Sequence, residues 1–440
     1  LNSDSSSLNY RRHDWEAEMP LASGIVERVT IDGSFIKHEV PGREKIKVHR
    51  ECPTHKEAVQ LIIETLTHPD HGVIDDMKTI SAVGHRMVHG GEKFAQSVII
   101  DDENMKTFVE LSNLAPLHNP PNIMGVNAAK ELMPDVEHMA IMDTAWHQTM
   151  PKDVFTYALP KEWYEKYGIR RYGFHGTSFL YTSKRASVLL GKDPFKTNLV
   201  LCHIGNGVSV NAVKNGESYD TSMGFTPLEG LVMGTRSGDC DPAIPLFVME
   251  REGIGPDEMN KVLNKKSGVL GITGKYTDRR DVIDGMENGD PDCALATHVE
   301  AYRLRKYIGA YMAAVGKIDA LVFTAGVGEM SDTLRGLVLD GLEHLGIKYD
   351  KRKNELAHTR NAEVEISTDD SAVRIFIIPT DEERVFIEDV VALHEGTYDI
   401  HTNFTYRFQS PQYRNKLRDM ELEKELEKKP DLKEIIVKIS

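Results

Sequence analysis

Apolar residues along this chain recur at two different spacings. From 55 to 67, Ala58, Leu61, Ile62 and Leu66 return at the period of a helix with one buried face. Residues 79–83, 139–142, 199–203, 208–213, 319–324 and 373–378 are instead short apolar runs bounded by glycine, proline or charge, which predicts strands. Further helices are expected at 121–132, 256–265, 294–315 and from Ser331 onward. Strands interleaved with helices over the whole length predict an α/β fold. The charged run 415–429 adds a solvated helix with Glu and Lys four apart.

The turns at the ends of these strands carry the candidate chemistry. The first apolar run delivers GHRMVHGG (84–91), and Arg86 occupies the strand end where open α/β sheets present ligand-binding groups. His85 and His89 stand four apart, but they lack the glutamate of a zinc helix and are flanked by glycines, so metal binding there is disfavoured. Asp143 ends the next strand and either caps the following turn or works in a site. His175 lies between glycines with Arg170 and Arg171 nearby. Ile204-Gly205-Asn206-Gly207 joins two strands, and Asn206-Gly207 is the dipeptide that type I′ turns favour; a second turn follows at 214–216. Ala325-Gly326-Val327-Gly328-Glu329 reads as strand, glycine turn and helix start, the geometry that receives phosphates. At Pro379-Thr380-Asp381-Glu382-Glu383 acids open a helix, and they either stabilise its N-terminus or hold magnesium.

One stretch, 220–245, is too rich in glycine and proline for helix or strand, and it carries Arg236 between Thr235 and Ser237-Gly238. A guanidinium on glycine-rich backbone suits bidentate contact with carboxylate or phosphate. The acids near it in sequence are Glu229, Asp239 and Asp241. The serine-rich start, 2–10, is either a disordered terminus or a phosphate cradle.

Composition narrows the partners. A length of 440 residues predicts two or three domains. A net charge of -15 argues against nucleic acid or an anionic membrane as partner, while leaving room for a small anion held by a local arginine cluster. No apolar run reaches the length of a membrane span, and no signal peptide is recognised; the chain opens on a turn whose preceding strand is expected to be missing. Cys52, Cys202, Cys240 and Cys293 form no CxxC, which predicts reduced thiols in a cytoplasmic protein. Positioned cations, amide-lined turns and an acidic magnesium candidate together form the inventory of phosphoryl transfer.

The motifs GHRMVHGG, MDTAWH, RRYGFHGTS, HIGNGVSVNAVKNG, DTSMGFTPLEGLVMGTRSGDCDPA, FTAGVGE and IPTDEE, in this order, make the chain closely resemble the acetate and butyrate kinase family of the actin-like ATPase superfamily, from Asn2 to about Val391. The resemblance implies a duplicated, actin-like (ribonuclease H-like) two-domain fold with the active site in the interdomain cleft, and a homodimer. The first domain would comprise 1–147 plus 381–440 and the second, nucleotide-side domain 148–380. The implied activity is reversible magnesium-dependent transfer between ATP and acetate, giving acetyl phosphate and ADP by direct in-line transfer.

Arg86 and Arg236 would bind the acetate carboxylate and the moving phosphoryl group, with His175 bonding the transition state and Asp143 orienting the site. Val88, Leu117, Phe174 and Pro227 match the acetyl pocket. Ser5, Ser7 and His203, Ile204, Gly205, Asn206, Gly207 match the phosphate contacts. Asp278, Arg279, Arg280 and Gly326, Val327, Gly328, Glu329, Met330 match the nucleotide side, and Asn2 with Glu382 the Mg2+ positions. The chain departs from the family pattern at Asp4 for glycine, Asn9 for lysine, Met330 for asparagine and Phe179 for histidine, and its tail beyond about 395 has no recognised counterpart. Rival readings are a pyrophosphate- or orthophosphate-dependent acetate kinase, a butyrate or propionate kinase, or a non-catalytic actin-like binder.

Overall fold

The computed structural model describes residues 1–116 and 118–439. The chain divides into two units, 1–146 with 382–406 and 147–381 with 407–440. The last 34 residues therefore belong with the second unit, where the expectation grouped 381–440 with the first. The reason is local pairing: Val437 N donates to Glu363 O at 3.0 Å and Glu365 N to Ile435 O at 2.9 Å, so the chain end runs along a second-unit strand.

In the first unit, strands β1 (Asn2–Ser3), β2 (Ser7–Asp14), β3 (Met19–Glu27), β4 (Phe35–Glu39) and β5 (Ile46–His49) form an antiparallel sheet in that order. The serine-rich start is thus an ordered hairpin, closed by Asp4 N donating to Ser7 O at 2.8 Å. Alternation buries Leu8, Tyr10, Ala22 and Val26 on one core. The helix His55–Leu66 covers that core. Its Thr54 and Glu57 form a reciprocal capping box, and Ala58, Leu61, Ile62 and Leu66 are buried as their spacing requires.

A second sheet has the order β6 (Ala82–Met87), β8 (Glu137–Met142), β7 (Val98–Ile99). Residues 79–81 precede β6 rather than belonging to it, because Asp76 caps a short 3-10 turn over Met77–Thr79. β6 and β8 are parallel, and Met87 pairs with Met142. Parallel alignment brings the same ends of both strands together, and with them Arg86 and Asp143.

The second unit is built on β9 (Leu199–Ile204), β10 (Val208–Lys214), β11 (Glu217–Thr221), β12 (Ala320–Thr324), β13 (Val364–Glu365) and β14 (Arg374–Ile377), in the order β11-β10-β9-β12-β14-β13. β9, β12 and β14 are parallel neighbours. Every residue of β9 and β12 is buried, the continuous apolar pattern of a sheet covered on both faces. Helices Gly176–Leu190 and Pro291–Val315 pack on it.

Two of the expected turns differ in detail. Ile204 pairs with Val208, which leaves a three-residue loop, and neither Asn206 nor Gly207 has a positive φ. The type I′ signature belongs instead to Asn215-Gly216, with φ of 52° and 78° between paired Lys214 and Glu217. After β12 there is no glycine turn: Ala325 alone takes a left-handed φ of 65°, and Ala325–Met330 is already helical. No helix among the described residues is long and apolar enough to cross a membrane.

Candidate active site

The first unit contributes an arginine fixed by an acid. Arg86 donates from Nε to Asp143 Oδ1 at 2.9 Å and from Nη2 to Asp143 Oδ2 at 2.5 Å, a bidentate pair. Burial alone would lower the Arg86 pKa, but Asp143 outweighs it and the net shift is upward. One edge of the fork is therefore taken, and Nη1, 3.5 Å from Asn2 Oδ1, points the other edge away from Asp143. Asp143 is 3% exposed and both of its carboxylate oxygens accept from Arg86.

Asn2 and Glu382, the implied magnesium positions, both act on Arg86, one by contact and the other through its charge. Glu383 is bound by Arg11. No group of three or more His, Cys, Asp or Glu suited to a metal occurs among the described residues. Magnesium held chiefly by water and substrate phosphates needs only one or two protein oxygens, so this sparse pair fits it. His85 Nε2 is 2.9 Å from His138 Nδ1 in a buried contact.

Val88 is buried, its amide donating to Asn122 Oδ1 at 3.1 Å. Ser5 is exposed and Ser7 half-buried on the first hairpin. Asp4, in place of the family glycine, does not adopt a positive φ, so the turn tolerates a side chain. Leu117 lies outside the described residues.

In the second unit a histidine and an arginine face one glycine. His175 has φ 57° and sits at the N-terminus of helix Gly176–Leu190. Its Nδ1 is 2.8 Å from Ser209 Oγ, and its ring stacks on His203 with centroids 3.9 Å apart. A Cβ on Gly207 would lie 3.3 Å from His175 Nε2 and 3.5 Å from Arg236 Nη2, so the absent side chain keeps both groups accessible to one another's neighbourhood. Phe179, replacing the family histidine, is fully buried and packs its edge against both imidazoles.

Arg236 is held by neutral groups only: Nη1 donates to Pro227 O at 3.0 Å and approaches Met233 Sδ at 3.5 Å. Burial lowers its pKa. None of the acids near it in sequence pairs with it. Glu229 binds Arg171 at 2.7 Å and the Tyr157 hydroxyl. Asp239 accepts from Gly230 N at 2.8 Å and Tyr307 Oη at 2.5 Å, and Asp241 caps Ala243 at 2.9 Å. Among the described residues Arg236 forms no ion pair, so burial of its guanidinium is offset only by contacts to neutral groups.

The donor-side residues separate into groups. Ile204 is buried core, whereas Gly205 and Asn206 form the loop, and Gly234 N donates to Asn206 O at 3.0 Å. His203 Nδ1 is 2.8 Å from Ser178 Oγ. Arg279 is buried against Glu300, with Nη2 to Oε1 at 2.8 Å, so its charge is already matched. Asp278 caps the helix Arg279–Glu287 and pairs with exposed Arg280, whose contact at 2.5 Å holds the carboxylate at about 2. Gly326 leaves room up to Arg360, while Gly328 packs on Ile204. Glu329 is buried, which raises its pKa, and accepts from Thr380 N at 3.1 Å. Val327 and Met330 are half-buried on the same helical turn. Phe174 is buried and Pro227 half-buried in this unit.

Sequence reasoning missed Ser209 and Ser178, which hydrogen-bond the two histidines at their Nδ1 atoms and hold the rings in place. For Ser209 the available signal was a hydroxyl in a largely apolar strand; Ser178, on helix Gly176–Leu190, carried no such signal.

Comparison with known proteins gives the same direction. The Acetokinase family matches residues 1–388. The acetate kinase of Treponema pallidum is 58% identical over 438 residues, 99% of this chain and 98% of that protein. The acetate kinase of Geobacter sulfurreducens is 59% identical over 408 residues, 93% of this chain and 97% of that protein. Among solved structures, the acetate kinase of Porphyromonas gingivalis superposes with a TM-score of 0.86 at 45% identity, covering 89% of this chain and 98% of the other.

Proposed function

Because the chain belongs to the acetokinase family, we propose that it is an acetate kinase, a phosphotransferase that moves the terminal phosphoryl group of ATP to acetate and back. The observation that carries the reading is Arg236, a partly buried guanidinium whose neighbouring acids are all engaged elsewhere, set across Gly207 from His175.

In this mechanism the edge of Arg86 not used by Asp143 takes the acetate carboxylate. A carboxylate oxygen attacks the γ-phosphorus in line, the bond to the β-phosphate bridging oxygen breaks, and ADP leaves with that oxygen. Charge spreads over the three equatorial oxygens as this happens, and Arg236 with the His175 ring meets it with donors already in place. His203 to Gly207 and the turn at Gly326 to Met330 serve the donor phosphates and nucleotide, with Asp278 to Arg280. By the family resemblance, Val88, Phe174 and Pro227 are the apolar residues that would meet the methyl group. Magnesium held at Asn2 and Glu382 would neutralise charge on the donor phosphates.

We also propose a homodimer. On helix Ala243–Glu252, Ile244, Leu246 and Phe247 are each more than half exposed, an apolar face suited to a second copy of itself. The four cysteines are unpaired, which fits a cytoplasmic setting.

Trapping acetyl phosphate as the hydroxamate, with acetate and either ATP or pyrophosphate as donor, tests the assignment. Product with ATP is expected. Product with pyrophosphate alone would overturn the nucleotide half of the mechanism.

A further inference from the structure

The segment after residue 388 lies outside the family match, and the mechanism above gives it no task. It is nevertheless tied down along its length. Arg185 Nη1 donates to Phe408 O at 2.7 Å, and the Phe408 ring packs on Tyr181 at 4.8 Å. Glu425 Oε2 accepts from Thr359 Oγ1 at 2.7 Å and Asn361 Nδ2 at 3.0 Å. The second anchor, Glu425, is on helix Lys416–Lys428, which Asn415 caps.

One side chain of that helix reaches the donor side of the sheet. Arg418 donates from Nη1 to Pro379 O at 3.0 Å and from Nη2 to Thr380 O at 2.7 Å. Asn415 Nδ2 donates to Asp381 Oδ2 at 2.9 Å, so three consecutive residues of the turn after β14 are gripped from the tail. Thr380 spends its own donors inward: its amide on Glu329 Oε1 at 3.1 Å and its hydroxyl on Ser178 Oγ at 2.9 Å. Ser178 in turn holds His203 Nδ1 at 2.8 Å. A hydrogen-bonded line thus runs from the tail to both donor-side groups, the histidine before the Gly205 loop and the glutamate of the nucleotide turn.

A tail that only covered surface would not need a guanidinium here. Ordering and desolvating an arginine is unfavourable, and an apolar side chain would cover the same area. Two charge-assisted bonds to adjacent carbonyls make sense where the orientation of a peptide matters.

We propose that Arg418 is a positioning residue for the phosphoryl donor: by gripping the carbonyls of Pro379 and Thr380 it sets Thr380 so that Ser178, His203 and Glu329 are aligned for the nucleotide. The proposal rests on the donor-side assignment of His203 to Gly207 and Gly326 to Met330.

The test uses the full chain and compares wild type with Arg418→Met and Arg418→Lys. Calorimetric binding of ADP is measured beside the KM for ATP, the KM for acetate and the melting temperature. Arg418→Met is expected to weaken ADP binding and raise the KM for ATP by about tenfold, the scale of one charge-assisted bond, with the KM for acetate and the melting temperature close to wild type. Arg418→Lys keeps the charge but loses the two-nitrogen fork and should weaken ADP binding by about threefold; it carries the test if the methionine variant does not fold. Wild-type ADP affinity in the variant, or equal rises in both Michaelis constants together with a collapse of the melting temperature, would overturn the proposal. A wild-type chain inactive with ATP and acetate would instead strike the kinase reading, and the ADP isotherms would still judge Arg418 separately.

Discussion

An arginine without a counter-ion and an arginine bound to an acid do different work in this protein, and substitution should tell them apart. Arg236→Ala removes a preorganised cation from the developing charge, so kcat should fall about a hundredfold or more. Arg236→Lys keeps the charge but loses the fork that Pro227 O orients, and should recover only part of the loss. Near-wild-type turnover in the alanine variant would refute the assignment. Val88→Ala should raise the specificity constant for propionate relative to acetate, within the roughly 1–3 kcal/mol that one methylene commands; an unchanged ratio removes Val88 from the acyl site.

A third prediction at this scale concerns Asp389. Burial, opposed by the Ser97 hydroxyl donating at 2.6 Å, pushes its carboxyl up to about 7. Between about pH 4 and pH 7 the native state holds a proton that the unfolded chain has released, so stability falls as pH rises through that window. Asp389→Asn should flatten the fall, read as urea midpoints at about pH 5 and about pH 8. Equal slopes in the two proteins would assign the effect elsewhere. Residue by residue, the sequence named Arg86 with Asp143 and His175 with Arg236, and the structure joins the first two in a bidentate pair and sets the other two about Gly207. The electrostatic partners were not legible there. Glu229 and Asp239 are neighbours of Arg236 in sequence but turn to Arg171 and Tyr307, because proximity along a loop says nothing about side-chain direction.

Elements were predicted best where periodicity alone decides, as in the helix His55–Leu66, and worst where pairing decides. Asn206-Gly207 and Asn215-Gly216 are the same dipeptide, yet only the second is a type I′ turn, since register leaves three residues in one loop and two in the other. Gly216 has φ 78°, and a Cβ there would lie 1.9 Å from Pro194 O. Gly253 has φ 66° with nothing near it. Gly216→Ala should therefore lose about 2 kcal/mol or more, and Gly253→Ala about 1, the cost of strain alone. Chemical denaturation of both variants checks the difference; equal losses would mean that the Pro194 clash is relieved by movement.

For the whole molecule, the apolar face of helix Ala243–Glu252 predicts association. Leu246→Glu, at the most exposed of its apolar positions, should shift sedimentation toward the monomer, and an unchanged dimer would place the interface on another surface. Chain order, too, bears on how the first unit is completed. The helix Glu382–His394 supplies Val390, whose Cγ2 would be 2.6 Å from a Cβ on Gly84, so it fits closely over β6. During synthesis that strand emerges early, while the helix that seals it leaves the ribosome only after the whole of residues 147–381 has been made. At ordinary translation speeds the nascent first unit waits tens of seconds with an uncovered sheet, while the second must assemble its sheet without the strand-pairing end of the chain. A chaperone that shields apolar surface would find its longest-lived target on residues 1–146, exposed in every nascent chain that ends before helix Glu382–His394.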